Sequence, residues 1–151
     1  MKWASTAVAI MLEALPLRPL VIKPNREELA LTVGRSVDRP AELLAVMREL
    51  NERGAQWVVV TQGGRPVYAT HAGQAWQIAP PEVEVLNPIG SGDCFAAALA
   101  WRYSLGEPML EGLRWAVAAG AENARHILPA RLDPRRVREL APRVRLQPVT
   151  A

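Results

Sequence analysis

The sequence predicts an α/β fold: a mostly parallel sheet with an antiparallel β-hairpin at its edge. Helical patterns alternate with short apolar strands over the first sixty or so residues, the mark of strands joined by helical crossovers. Trp57-Val58-Val59-Val60-Thr61 is a near-continuous apolar run, as expected of a strand covered on both faces. Pro66-Val67-Tyr68-Ala69 and Gln74-Ala75-Trp76-Gln77-Ile78 then bracket His71-Ala72-Gly73 and can pair as a hairpin. That change from alternation to direct strand pairing puts antiparallel strands at the margin.

Taken in order, Ser5 to Leu15 reads as an amphipathic helix stopped by Pro16 and Pro19. Leu20-Val21-Ile22 is a short strand running into Lys23-Pro24-Asn25. A helix over Arg26 to Leu31 follows and ends by Gly34, with Asn25 and Glu28 spaced as a capping box. Asp38-Arg39-Pro40 opens a helix from Ala41 to Arg53 whose Leu43, Leu44, Met47 and Leu50 share a face. Beyond the hairpin, Glu82-Val83-Glu84-Val85-Leu86 has the period of a strand, and Phe95 to Trp101 reads as a buried helix. A long helix from Met109 to about Ile127 carries small residues that permit close packing. Asp133-Pro134 then starts a basic helix, Arg135 to Leu140, before a short strand around Val144-Arg145-Leu146.

Between the expected strand at 82–86 and the helix after it lies Asn87-Pro88-Ile89-Gly90-Ser91-Gly92-Asp93-Cys94. Two glycines let the backbone bend tightly, so the amides of Gly90, Ser91 and Gly92 can converge at the positive end of a helix beginning near Asp93. Such a turn binds anions. Asp93 adds a carboxylate there, able to act as a base or orient a hydroxyl while the amides hold developing phosphate charge. The same residues also suit a plain connection with Asp93 as helix N-cap, and the turn alone leaves both readings open.

Composition narrows the classes of function. The chain has 151 residues, one domain's worth, half of them apolar. Its net charge of +3 comes almost wholly from arginine, since Lys2 and Lys23 are the only lysines. This mild excess favours anionic ligands weakly, and without interleaved aromatics it gives no expectation of a nucleic-acid partner. Cys94 is the only cysteine, which excludes an intrachain disulfide. It suits a small buried position better than a catalytic thiol, because neither His71 nor His126 has a context tying it to Cys94. Met1 to Leu17 superficially resembles a secretory leader, but Glu13 interrupts the apolar run and no small-residue cleavage site follows. No apolar run approaches membrane-spanning length. A cytoplasmic protein without a membrane partner is expected.

Lys-Pro-Asn-Arg-Glu-Glu at 23–28, Val-Val-Val-Thr-Gln-Gly-Gly at 58–64 and Asn-Pro-Ile-Gly-Ser-Gly-Asp at 87–93 occur in one order. Together they closely resemble the C-terminal half of the PfkB/ribokinase family of carbohydrate kinases. The third is most like the family's 1-phosphofructokinase and tagatose-6-phosphate kinase group. The resemblance implies a ribokinase-like three-layer αβα sandwich, present in part. It also implies an ATP-dependent phosphosugar kinase using Mg2+. Asp93 would be the catalytic base, and Gly90, Ser91 and Gly92 the anion hole. Asn25 and Glu28 would organise Mg2+ through water or phosphate, Thr61 and Gly63 would belong to the nucleotide-binding turn, and Ala119 and Asn123 would border the adenine pocket.

Pro66 departs from the family pattern, standing where that turn often has a second glycine. Family members are about twice this length. Residues 1–151 are therefore expected to be a single domain, the nucleotide-binding and catalytic half, without the N-terminal substrate and lid half. The expected partners are a small phosphosugar and either a further copy of the chain or a polypeptide supplying the other half. A non-catalytic nucleotide-binding remnant or interaction module is the alternative function.

Overall fold

The computed structural model describes residues 10–150. The chain forms two compact units: one runs through Gln62 and adds Val67–Gln77 and the residues from Pro148, while the other comprises Gly63–Pro66 and Ile78–Gln147.

In the first unit, helix α1 is described over residues 10–14 and passes into a 3-10 turn, Leu15–Leu17, where Pro16 stops it. Its expected start, Ser5 to Ala9, lies outside the described residues. Strand β1 is Val21–Ile22, α2 is Arg26–Val33 and α3 is Pro40–Glu52. Strand β2 is Trp57–Val60, and β3, Val67–His71, turns into β4, Gln74–Ala79. The turn residues Ala72 and Gly73 both have positive φ, 47° and 79°, matching the twist of a two-residue hairpin. The heptad-like face of α3 buries Leu43, Leu44, Met47 and Leu50 with Val46, in one cluster with Ile22, Leu29, Val58 and Val60. Each such side chain contributes about 1.5–3 kcal/mol on leaving water, so this cluster is the main reason the unit folds. Trp57 stacks on His71 with ring centroids 4.3 Å apart, linking β2 to β3.

The sheet has the order β1-β2-β3-β4-β5, where β5 is Arg145–Pro148. It is mixed: β1 runs parallel to β2, with Val21 opposite Trp57, and β2 runs antiparallel to β3, with Val59 opposite Ala69. β5 lies beyond β4, so the margin on that side is β5 rather than the hairpin itself.

The second unit is helical apart from its strand residues: α4 is Ser91–Ser104, α5 is Met109–Ala124 and α6 is Pro134–Leu140. Close packing of α4 and α5 depends on small residues. A Cβ on Gly120 would come within 3.3 Å of the Ser91 carbonyl oxygen, so the glycine lets α5 pass beneath the start of α4. Arg102 adds a charged clamp, its guanidinium 4.0 Å from the Trp115 ring and its Nε 2.6 Å from Glu107. Asp133 caps α6 by accepting from the Arg135 amide at 2.9 Å.

Three expectations are corrected by the structure. Residues 82–86 form no strand; Val85 and Leu86 are more than half exposed, and the Leu86 and Asn87 amides both donate to the Ala124 carbonyl. Alternation specifies faces but supplies no neighbouring strand, and a strand needs one. Helix α4 begins at Ser91, before Asp93, and buries only Cys94, Phe95 and Leu99, while Ala96, Ala97, Ala100 and Trp101 are exposed. A run of alanines has too little contrast between faces to reveal which is solvated. Helix α5 also ends at Ala124, short of Ile127.

Candidate functional site

The second unit carries the glycine turn. Gly90 is the N-cap of α4 with φ 85°, a conformation costly for any residue with a Cβ. Added there, a Cβ would lie 2.7 Å from the Ala130 nitrogen, so the neighbouring loop also requires glycine. The Ser91 amide is spent within the turn, donating to the Pro88 carbonyl at 3.1 Å, and the first helical bond runs from the Cys94 amide to the Gly90 carbonyl at 3.0 Å. Among the described residues the Gly92 and Asp93 amides have no partner in the chain, as first-turn donors have none within a helix. The Gly90 amide likewise has no partner among the described residues, so of the expected Gly90, Ser91 and Gly92 only the Ser91 amide is engaged within the turn, and the Asp93 amide stands open beside the other two.

Asp93 occupies the third helical position, is exposed, and makes no hydrogen bond or ion pair among the described residues. It is not the N-cap, because Gly90 takes that place. Its carboxylate is thus available to solvent or a ligand. Cys94, the next residue, is buried and its thiol donates to Asn123 Oδ1 at 3.6 Å. Burial, and secondarily the Asp93 charge, push that thiol above its ordinary range, consistent with a structural rather than a nucleophilic role.

Asn123 is fully buried on α5 and directs its amide at the turn, donating to the Ile89 carbonyl at 2.9 Å and to Ser91 Oγ at 3.0 Å. Ala119, one turn earlier, is buried in helix packing. Glu122, unforeseen in the sequence, is fully buried between His126 Nε2 at 2.9 Å and Arg125 at 3.2 Å. The i,i+3 and i,i+4 spacing of Glu122, Arg125 and His126 was the signal that could have revealed it.

In the first unit, Asn25 and Glu28 form the capping box their spacing suggested: the Glu28 amide donates to Asn25 Oδ1, and the Asn25 amide to Glu28 Oε2, both at 2.8 Å. Thr61 is brought beside them. Its amide donates to the Pro24 carbonyl at 3.3 Å, its carbonyl accepts from the Arg26 amide at 3.0 Å, and it bridges Asn25 in parallel register. Arg26, also unforeseen, fastens this corner by donating to the Val37 and Asp38 carbonyls and to Gln62 Oε1. Gly63, which belongs to the second unit, is exposed with φ 61°.

No group of three or more His, Cys, Asp or Glu side chains able to hold a metal occurs among the described residues. Glu28 nonetheless keeps Oε1 outside the capping box, and Mg2+ commonly retains waters and phosphate ligands, needing only one or two carboxylates. These residues therefore fit an ion held indirectly. Among the described residues no helix is long and apolar enough to cross a membrane.

Residues 2–133 match the family described as pfkB family carbohydrate kinase. Among solved structures, the chain is 27% identical to a protein of Staphylococcus aureus named as a candidate phosphofructokinase, with a TM-score of 0.80 over 91% of this chain and 44% of that one. It resembles phosphofructokinase-2 from Escherichia coli, crystallised with potassium, at 23% identity and a TM-score of 0.81, covering 88% of this chain and 44% of that one. It also resembles an Arabidopsis thaliana ribokinase complexed with ribose and ATP, at 24% identity and a TM-score of 0.74, covering 81% and 40%. The latter two likenesses establish the ribokinase-like fold. The chain spans less than half the length of these relatives.

Proposed function

Because the chain belongs to the pfkB family of carbohydrate kinases, we propose that it serves in ATP-dependent phosphoryl transfer to a hydroxyl of a phosphosugar, as 1-phosphofructokinase does. The observation that carries this reading is the start of α4, where the Gly90, Gly92 and Asp93 amides and the Asp93 carboxylate lie close in sequence without a partner among the described residues. The phosphofructokinase likeness at 27% identity supports a sugar phosphate as acceptor.

Phosphoryl transfer through a loose transition state asks mainly for positioning and charge stabilisation. The Gly90, Gly92 and Asp93 amides, reinforced by the helix dipole, stabilise charge on the transferring group, and Ser91 shapes the turn presenting them. The Asp93 carboxylate orients the acceptor hydroxyl and takes its proton late in transfer. Thr61 and Gly63 serve the nucleotide, while Asn25 and Glu28 hold the waters or phosphates around Mg2+. The ion, when bound, neutralises triphosphate charge. Ala119 serves by close helix packing near the nucleotide.

We further propose that residues 1–151 act as one nucleotide-binding and catalytic half in the cytoplasm and work together with additional polypeptide, either another copy or a chain carrying the sugar-selecting half. The tetrameric form of E. coli phosphofructokinase-2 supports association. The 44% coverage of relatives favours a second reading, a nucleotide-binding module that performs no transfer. Transfer of labelled γ-phosphate from ATP to fructose 1-phosphate, fructose 6-phosphate or tagatose 6-phosphate separates the two. Label on a sugar supports the kinase; ATP binding without any transfer supports the module.

A further inference from the structure

We infer that Asn123 is a positioning residue that moulds the α4 turn, fixing Gly90 in its left-handed conformation and aiming the Ser91 hydroxyl proton outward. Its functional consequence rests on the proposed phosphate role of that turn.

An amide side chain has two N–H donors and an oxygen with two lone pairs, and Asn123 uses all of them. Nδ2 donates to the Ile89 carbonyl at 2.9 Å and to Ser91 Oγ at 3.0 Å. Oδ1 accepts from the Arg131 amide at 3.2 Å and the Cys94 thiol at 3.6 Å. The orientation of the amide is forced chemically, since the Ile89 carbonyl can only accept and the Arg131 amide can only donate. Ile89 and Ser91 flank Gly90, so the Nδ2 bonds hold the turn from both sides. The Oδ1 bond to Arg131 secures the loop whose Ala130 nitrogen closes the space over Gly90. Because Ser91 Oγ accepts from Asn123, its own proton is left to point elsewhere, and a hydroxyl accepting a hydrogen bond becomes a better donor. A buried network of this kind is costly when half-satisfied, so losing Nδ2 should disorder the turn before it unfolds the helices.

The test combines site-resolved amide hydrogen exchange with titration by inorganic phosphate and by ATP, in wild type, Asn123→Asp and Ser91→Ala. Asn123→Asp keeps the shape and the acceptors but turns the donor end into an acceptor facing the Ile89 carbonyl; Ser91→Ala removes one partner without opening a large cavity. The inference expects protection of the Ser91 and Cys94 amides to fall at least tenfold in Asn123→Asp while protection in mid-α5 holds, with a smaller local fall in Ser91→Ala. An equal fall everywhere, or unchanged protection at Ser91 and Cys94, overturns it. Phosphate affinity reads the other proposal: local loosening with at least tenfold weaker phosphate binding supports both, whereas a loosened turn with no phosphate binding at Gly92 and Asp93 in wild type sustains the clamp and removes the phosphate role.

Discussion

At residue scale, Asp93 and Gly90 carry opposite kinds of constraint. Asp93 is exposed and without a partner in the described chain, so replacing its carboxylate should cost chemistry and little stability. Asp93→Asn is expected to keep ATP binding and lower transfer by roughly 10²–10⁴-fold, the usual scale of a lost acid–base group, in a coupled kinase assay. Gly90→Ala should do the reverse first, placing a methyl 2.7 Å from the Ala130 nitrogen at φ 85°. A loss of about 1–3 kcal/mol is expected in urea unfolding, the ordinary cost of such backbone strain. Cys94 supplies a pH test. Its thiol is pushed upward by burial, so the thiolate forms only above the usual thiol range. Alkylation of the native protein should therefore be slow near neutrality and accelerate only in alkali; rapid labelling at neutral pH would contradict the buried placement.

At the scale of elements, the capping box at α2 offers a way to separate fold from function. Asn25→Ala removes the acceptor for the Glu28 amide and should destabilise by about 1 kcal/mol in thermal or urea unfolding. Glu28→Gln can still accept from the Asn25 amide, so stability should change little while the Mg2+ dependence of nucleotide binding weakens; unchanged Mg2+ dependence would leave Glu28 as a cap alone. This helix was legible because a cap, an acidic N3 residue and a terminal glycine all pointed the same way. The hairpin was legible for a similar reason: alternating strands flank a turn that tolerates positive φ. The 82–86 segment was misread because its alternation is a local property, whereas ladder bonds come from elsewhere in the chain. Asn123 was picked out by resemblance as a nucleotide contact, but which way a buried amide faces depends on packing between α4 and α5, which no periodicity reports. Arg26 and Glu122 escaped because charged residues read as surface until a structure shows them bonded inward.

On the scale of the whole molecule, coverage of less than half of each solved relative bears on what the chain does alone. Val85, Leu86, Ile89, Trp101 and Leu105 of the second unit are each more than half exposed, an unusual density of large apolar groups. Concentration-dependent association is expected in sedimentation velocity, reduced by Trp101→Glu; an ideal monomer across the micromolar range would contradict it. A catalytic role for the start of α4 is tested by transfer of labelled γ-phosphate from ATP to a phosphosugar, in wild type beside Asp93→Asn. Label should reach the sugar with wild type and not with Asp93→Asn, while both bind ATP; equal transfer by the two proteins, or none by either, would contradict it.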